Sequence, residues 1–315
     1  MTPFRTILVA ADFSEASREA FRSACSIARE DKTRLFVLNV LEPKYEAAAP
    51  VYFGDETVHF TRIARDPTEH DSVKKRLEEA YKPGRPLDVT YQTAEGDAAE
   101  EILNSCVAIG CDLIVMGTHG RSGLSRFLAG SVAEAVLRGA RCSALAVRER
   151  GTAGTAARPE VILHPTDFSE CSRMALRVAH SVAQARGARL LILHVIPRET
   201  VLDRSLLIPI DVQAARESLD SLAHEVSGPD LSHPVGTLVG HGNAAEEIIR
   251  VAQQEPGCGL IVMGTHGRSG FGRLLMGSVA EATLRNSDCP VLMVKSPQPK
   301  GSPVREHTSV SGVKV

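Results

Sequence analysis

Two copies of one pattern, 147 residues apart, constrain this chain more than any other feature. Residues 117–138 read GTHGRSGLSRFLAGSVAEAVLR and residues 264–285 read GTHGRSGFGRLLMGSVAEATLR, identical at 17 of 22 positions. A repeat on this scale is a duplicated domain, because solenoid units run roughly 20–50 residues. The length of 315 residues agrees with two domains, at the usual size of roughly 100–200 residues each. Each is large enough to bury a core without staples. The expected boundaries are 1–149 and 159–296, with RGTAGTAAR (150–158) between them as a linker. The last residues, 297–315, lack periodicity and are expected to be disordered.

Short apolar runs alternate with amphipathic stretches in both copies. In the first, strands are expected at 6–10, 35–40, 87–94, 112–116 and 143–148, and helices at 14–30, 68–82, 98–109 and 131–138. Ala16, Ala20, Ala24, Ile27 and Ala28 recur at helical spacing. In the second, strands are expected at 161–164, 190–195, 235–239, 259–263 and 291–294, with helices from Ser169, near 211–226, from Ala244 and from Ser278. Continuous apolar strands separated by helices predict an α/β fold, a doubly wound parallel sheet covered on both faces. The segment holding Pro43, Pro50 and Gly54 reads as a long connection.

The most faithfully duplicated segment follows a buried strand and opens a helix. Its spacing is Gly-x2-Gly-x9-Gly-Ser: Gly117, Gly120, Gly130 and Ser131, then Gly264, Gly267, Gly277 and Ser278. Glycines there are expected to adopt positive φ and let the backbone approach an anion. The helix N-terminus supplies free N–H groups and about half a positive charge. A plainer reading also exists. Ser131 with Glu134, and Ser278 with Glu281, match a capping box that needs no ligand. Capping alone, however, requires neither Gly117 nor Gly120. The chain contains no G-x4-G-K-[ST] loop and no G-x-G-x-x-G after its first strand. Arg121, Arg126, Arg268 and Arg273 could meet outer phosphates or simply face solvent, and His119 and His266 read as loop contacts.

Asp12 and Asp167 follow the first strand of each copy, in AADFSE and PTDFSE. Each can cap the following helix, as Ser14 can, or accept a ribose hydroxyl or adenine amino group. The two roles are compatible.

These residues resemble the universal stress protein family, and the likeness covers nearly the whole chain apart from linker and tail. Gly-x2-Gly-x9-Gly-[Ser/Thr] is the motif of the family's ATP-binding branch, and the Asp-Phe-Ser after strand one and CPVLMV (289–294) are equally typical. The resemblance implies an adenine nucleotide alpha hydrolase-like domain with a five-stranded parallel sheet of order 3-2-1-4-5. It implies a nucleotide site in the first copy made by Ala10, Asp12, Val40, Gly117, Gly120, Gly130, Ser131 and Val132. The second site would use Pro165, Asp167, Val195, Gly264, Gly267, Gly277, Ser278 and Val279. The family usually has proline where Ala10 stands, so the first site lacks a rigid residue against the ribose. The resemblance also implies assembly through the last strand. Here 143–148 and 290–294 can pair within one chain as a pseudo-dimer, each otherwise being an exposed edge; a homodimer of chains stays open.

Net charge of −2 gives no electrostatic reason to expect nucleic acid or an anionic membrane as partner. No apolar run approaches the roughly 20 residues of a membrane span, and the start of the chain does not read as a signal peptide. A cytoplasmic protein is expected. Its seven cysteines, at 25, 106, 111, 142, 171, 258 and 289, include no C-x-x-C and read as small packed residues.

The expected function is ATP (or ADP or AMP) binding in a nucleotide-dependent stress response. Magnesium, if present, would be held through the phosphates rather than by a protein metal site. A slow ATPase or phosphotransferase is the first alternative. Catalysis needs a placed base or water and usually a metal, and no acid beyond Asp12 and Asp167 lies near the loop, so turnover would be slow. A scaffold with a structural nucleotide is the second alternative.

Overall fold

The computed structural model describes residues 4–28, 32–47, 60–118, 130–148, 160–197, 212–227, 235–265 and 276–295. The linker at 150–158 and the tail at 297–315 lie outside them, as do the glycine loops' interiors.

In the first copy the chain runs β1 (Thr6–Ala10), α1 (Glu15–Ile27), β2 (Arg34–Leu41), β3 (Lys44–Ala47), β4 (Phe60–Ile63), α2 (Pro67–Ala80), β5 (Asp88–Glu95), α3 (Ala98–Ala108), β6 (Leu113–Gly117), α4 (Ser131–Gly139) and β7 (Ser143–Val147). The second repeats the order as β8 (Val161–Thr166), α5 (Glu170–Arg186), β9 (Arg189–Ile196), α6 (Val212–Ser227), β10 (Val235–His241), α7 (Ala244–Gln254), β11 (Cys258–Gly264), α8 (Ser278–Asn286) and β12 (Val291–Val294).

Ten strands form one sheet in the order β10-β9-β8-β11-β12-β7-β6-β1-β2-β5. Within each half the neighbours are parallel, and the order is 3-2-1-4-5 counted along that half's main strands. The expected fold is therefore the observed one. The halves meet where β12 pairs antiparallel with β7, Leu292 opposite Leu145. Neither last strand is left as an edge.

Strand side chains alternate between two helix layers. Ile7 and Val9 join a core with the helices α1, α2, α5 and α6, whereas Leu8 joins the opposite core with α3, α4, α7 and α8. The five residues expected to form the inner face of α1, from Ala16 to Ala28, are all buried. Small residues on that face bring the helix close to the sheet. Two cations lock the central seam. Lys295, just after β12, donates to Leu137 O and Ala140 O at 2.9 and 2.5 Å, at the C-terminal end of α4. Arg148, just after β7, donates to Arg285 O at the end of α8. Positive charge at a helix C-terminus complements the axial dipole.

Two expectations need correction. The connection read as plain loop carries a hairpin, β3 against β4, with Lys44 opposite Ile63. Its strands, KYEA and FTRI, are four residues each, too short for their pattern to stand out from the connection. Strand β8 also runs past His164 through Pro165 to Thr166. Proline is tolerated there because the β8–β11 register runs only to Leu163 opposite Ile261.

Candidate functional site

In each half, strand one lies between strand two and strand four, so the direction of winding reverses beside it. The carboxyl ends of parallel strands open a crevice at such a switch point. Ala10 ends β1, with Leu38 and Met116 beside it. Val40 lies near the end of β2, Gly117 ends β6 and Asp12 follows β1. Pro165, Val195 and Gly264 take the matching positions in β8, β9 and β11; Pro165 is buried, whereas Ala10 is half-buried. Gly120, Gly267, His119, His266, Arg121, Arg126, Arg268 and Arg273 lie outside the described residues.

The glycine loop is closed at its base by one backbone bond. Gly130 N–H donates to Thr118 O at 2.6 Å, and Gly277 N–H donates to Thr265 O at 2.8 Å. Thr118 and Thr265, both buried, donate in turn to Val147 O and Val294 O. These threonines anchor the loop to the last strand of each half, a role that sequence reasoning did not assign although both copies read Gly-Thr-His-Gly. The closure sets the start of the next helix over the end of strand four.

That start corrects the capping-box expectation. The N-caps of α4 and α8 are Gly130 and Gly277, not the serines, and neither helix has a side-chain cap. Ser131 and Ser278 sit one position inside, where the box cannot form. The other five helices whose N-cap is described are all capped by a side chain, from Ser14, Asp66, Asp97, Ser169 and Asn243. The two bare starts are the two that follow the glycine loops. Ser131, Val132 and Ser278, Val279 are exposed there, and intrahelical bonding begins only at Glu134 and Glu281. Among the described residues no side chain accepts from these first-turn N–H groups, which carry the positive end of the dipole.

The glycines differ in what demands them. The expectation of positive φ fails at Gly117, Gly130, Gly264 and Gly277. At Gly117 a Cβ would stand 2.8 Å from Ala16 Cβ and 2.9 Å from Ala16 C, so helix α1 excludes it. Gly264 is crowded in the same way by Cys171. These two are explained by close helix–strand packing. At Gly130, among the described residues, a Cβ would press on Thr118 O at 3.3 Å, the oxygen that also accepts Gly130 N–H.

The turn after strand one is held under strain in both halves. Phe13 and Phe168 have φ of 67° and 66°, a left-handed conformation costly for a bulky side chain. Sequence reasoning missed this; the only trace is the repeated Asp-Phe-Ser. The aspartates hold the turn. Asp12 Oδ1 accepts from Ser14 N–H at 3.0 Å and Ser14 Oγ at 2.5 Å, and Asp167 Oδ1 accepts from Ser169 N–H at 3.1 Å. Ser14 and Ser169 then cap α1 and α5. Asn39 donates to Ala11 O at 2.7 Å, and His194 Nδ1 donates to the matching Thr166 O at 2.8 Å.

Beneath each turn lies a different buried polar group. In the first half Phe13 N–H donates to Tyr81 Oη at 2.9 Å. Tyr81, brought in by α2, lies 2.7 Å from Ser17 Oγ, whose proton goes to Ser14 O. Burial raises the Tyr81 hydroxyl above its usual pKa. In the second half Phe168 N–H donates to Thr166 Oγ1 at 3.1 Å, and Ser172 donates to the same oxygen at 2.8 Å. His164, fully buried, donates through Nδ1 to Val262 O at 2.8 Å. Burial pushes its ring down to about 4. No helix among the described residues is long and apolar enough to cross a membrane.

Comparison with known proteins gives the same answer twice along the chain. The universal stress protein family model matches residues 3–148 and again 159–295, and the chain belongs to that family. It is similar to universal stress protein Rv1996 of Mycobacterium tuberculosis, 26% identical over 315 residues, covering 94% of this chain and 97% of that protein. It is 28% identical over 152 residues to universal stress protein MJ0577 of Methanocaldococcus jannaschii, covering 42% of this chain and 93% of that one. A crystal structure of a universal stress protein from Archaeoglobus fulgidus superimposes with a TM-score of 0.62 at 20% identity, covering 92% of this chain and 98% of that chain. At that identity the likeness is one of fold.

Proposed function

We propose that this universal stress protein binds an adenine nucleotide, ATP in the first instance, in the crevice of each half, and acts in a nucleotide-dependent stress response. The observation that carries the reading is the pair of uncapped helix starts, α4 and α8, at the ends of the glycine loops. Bare N–H groups with an aligned dipole suit a phosphate chain. The absence of a side chain at Gly130 suits close approach of a ligand to the backbone. The phosphates would meet Gly120, Gly130, Ser131 and Val132, with Gly117 lining the ribose. Ala10, Asp12 and Val40 would line the adenosine side. The second site would use Pro165, Asp167, Val195, Gly264, Gly267, Gly277, Ser278 and Val279 in the same roles. Magnesium would enter only through the phosphates.

The test is to denature freshly purified protein and identify what it releases by chromatography. Release of ATP, ADP or AMP in near-stoichiometric amount is the expected result. A nucleotide-free supernatant from protein that also fails to take up added ATP contradicts the reading.

A further inference from the structure

At the opposite end of the sheet from the crevice, three cysteines of the first half converge. Cys106 lies in the last turn of α3, Cys111 in the connection to β6, and Cys142 just before β7. The sequence spreads them over 36 residues, and the fold gathers them in two steps. Gly110, with φ of 63°, ends α3 in a Schellman turn: Cys111 N–H returns to Cys106 O at 2.9 Å and Gly110 N–H to Val107 O at 3.2 Å. That turn brings the residue after the glycine against the helix's third-last residue, which here sets Cys111 against Cys106. The parallel pairing of β6 with β7, Leu113 opposite Ser143, then sets Cys142 alongside. Cys106 Sγ and Cys142 Sγ are 3.4 Å apart, and all three sulfurs lie within 4.8 Å of one another.

We propose that Cys106, Cys111 and Cys142 form a binding site for one soft, thiophilic d10 cation, Cu(I) being the best fit. At a metal–sulfur distance of about 2.3 Å, three sulfurs around one ion stand roughly 3.8–4.0 Å apart. The Cys106–Cys142 separation is 3.4 Å and no pair is more than 4.8 Å apart, so small side-chain rotations suffice. Among the described residues no fourth His, Cys or carboxylate joins the group. Zinc in a protein site nearly always takes four ligands, whereas soft thiolates suit Cu(I), which is content with three. Binding releases the thiol protons. Lys295, reaching across the seam from the second half, brings a positive charge near Cys142.

The second half supplies an internal control. Cys258 and Cys289 occupy the places of Cys111 and Cys142, and Cys289 Sγ donates to Cys258 O at 3.4 Å. The place of Cys106 is held by Ala252, which is buried. That half keeps two thiols where the first has three. Cys106→Ala therefore copies a two-thiol arrangement this fold already uses.

The experiment is a competition between the reduced, full-length protein and a chromogenic Cu(I) chelator under anaerobic conditions, with copper X-ray absorption on the product. One tightly held Cu(I) per chain with three sulfur neighbours is expected. Cys106→Ala should weaken binding at least 10–100-fold, the range typical of losing even a supporting hydrogen bond around a metal, while its circular dichroism and melting stay near wild type. Cys258→Ala should leave the copper affinity unchanged. An equal affinity in wild type and Cys106→Ala overturns the proposal. So does full retention of copper by the chelator, including the case in which Cys106 and Cys142 have joined in a disulfide.

Discussion

The two crevices are built on one plan and stiffened by different chemistry. Both place an aspartate, a left-handed phenylalanine and a capping serine after strand one, and both face that turn with an uncapped helix. In the first half the buried polar support comes from α2, through Tyr81. In the second it comes from the strand itself, through Thr166 and His164. The register follows suit. Strand β1 stays paired with β6 to Ala10 opposite Met116, whereas β8 stays paired with β11 only to Leu163 opposite Ile261. His164 bonds to Val262 O where the first half continues its ladder. What the halves have in common is the strained turn and the bare helix. The residues that hold them differ between the halves.

The sharpest way to break that comparison is acid. His164 is buried neutral with its ring pushed down to about 4, against 6.5 unfolded. Its contribution to stability is therefore whole above about pH 6.5 and is lost as pH falls toward 4, because the unfolded chain takes up the proton first. A shift of this size is worth roughly 3 kcal/mol. His164→Val, which places there the residue type of Val9 in the first half, should flatten that part of the pH dependence. Denaturant melts at neutral and acid pH, compared between wild type and variant, measure the difference. An identical pH dependence in the two proteins contradicts the assignment.

A second comparison uses the packing glycines. Gly117→Ala drives a methyl into the backbone of α1 and should cost about 1–3 kcal/mol, as overpacking does. Gly264→Ala meets first the Cys171 sulfur, at 2.9 Å, which can turn aside more easily than main chain. It should cost less, by the same thermal melts. A larger loss in the second half would reverse the argument.

The smallest expected effect is Tyr81→Phe. It removes the acceptor of Phe13 N–H and should destabilise by about 1 kcal/mol. The accompanying sign is faster hydrogen exchange at Phe13, with Phe168 unchanged. Unaltered exchange at Phe13 would show that Tyr81 does not hold the turn.

The layers of this fold were legible because period and spacing carry them. The alanines of α1 and the capping role of Ser14 could be read from the chain, and the joining of residues 143–148 with 290–294 followed from the family resemblance. The helix at 131–138 was legible as well, but not its cap. Serine is a favoured N-cap, so Ser131 drew the expectation of a capping box, whereas Gly130, bonded to Thr118 O, takes the cap position. That bond depends on where the loop closes, which periodicity does not report. The left-handed phenylalanines were invisible for a similar reason: nothing in the residue type favours that conformation, and only the surrounding hydrogen bonds impose it. The three thiols meet only once β6 and β7 are known to be neighbours, so their spacing of five and 31 residues looked scattered.

The central claim is that the bare starts of α4 and α8 grip phosphates. Titration calorimetry with ATP and with adenosine, on wild type and on Gly130→Val, Gly277→Val and the double variant, tests it most directly. Two ATP per chain in the wild type, one in each single variant and none in a folded double variant are the predicted results, with adenosine bound far more weakly than ATP. A folded double variant that still takes two ATP with undiminished affinity, or adenosine bound as tightly as ATP, would contradict the account.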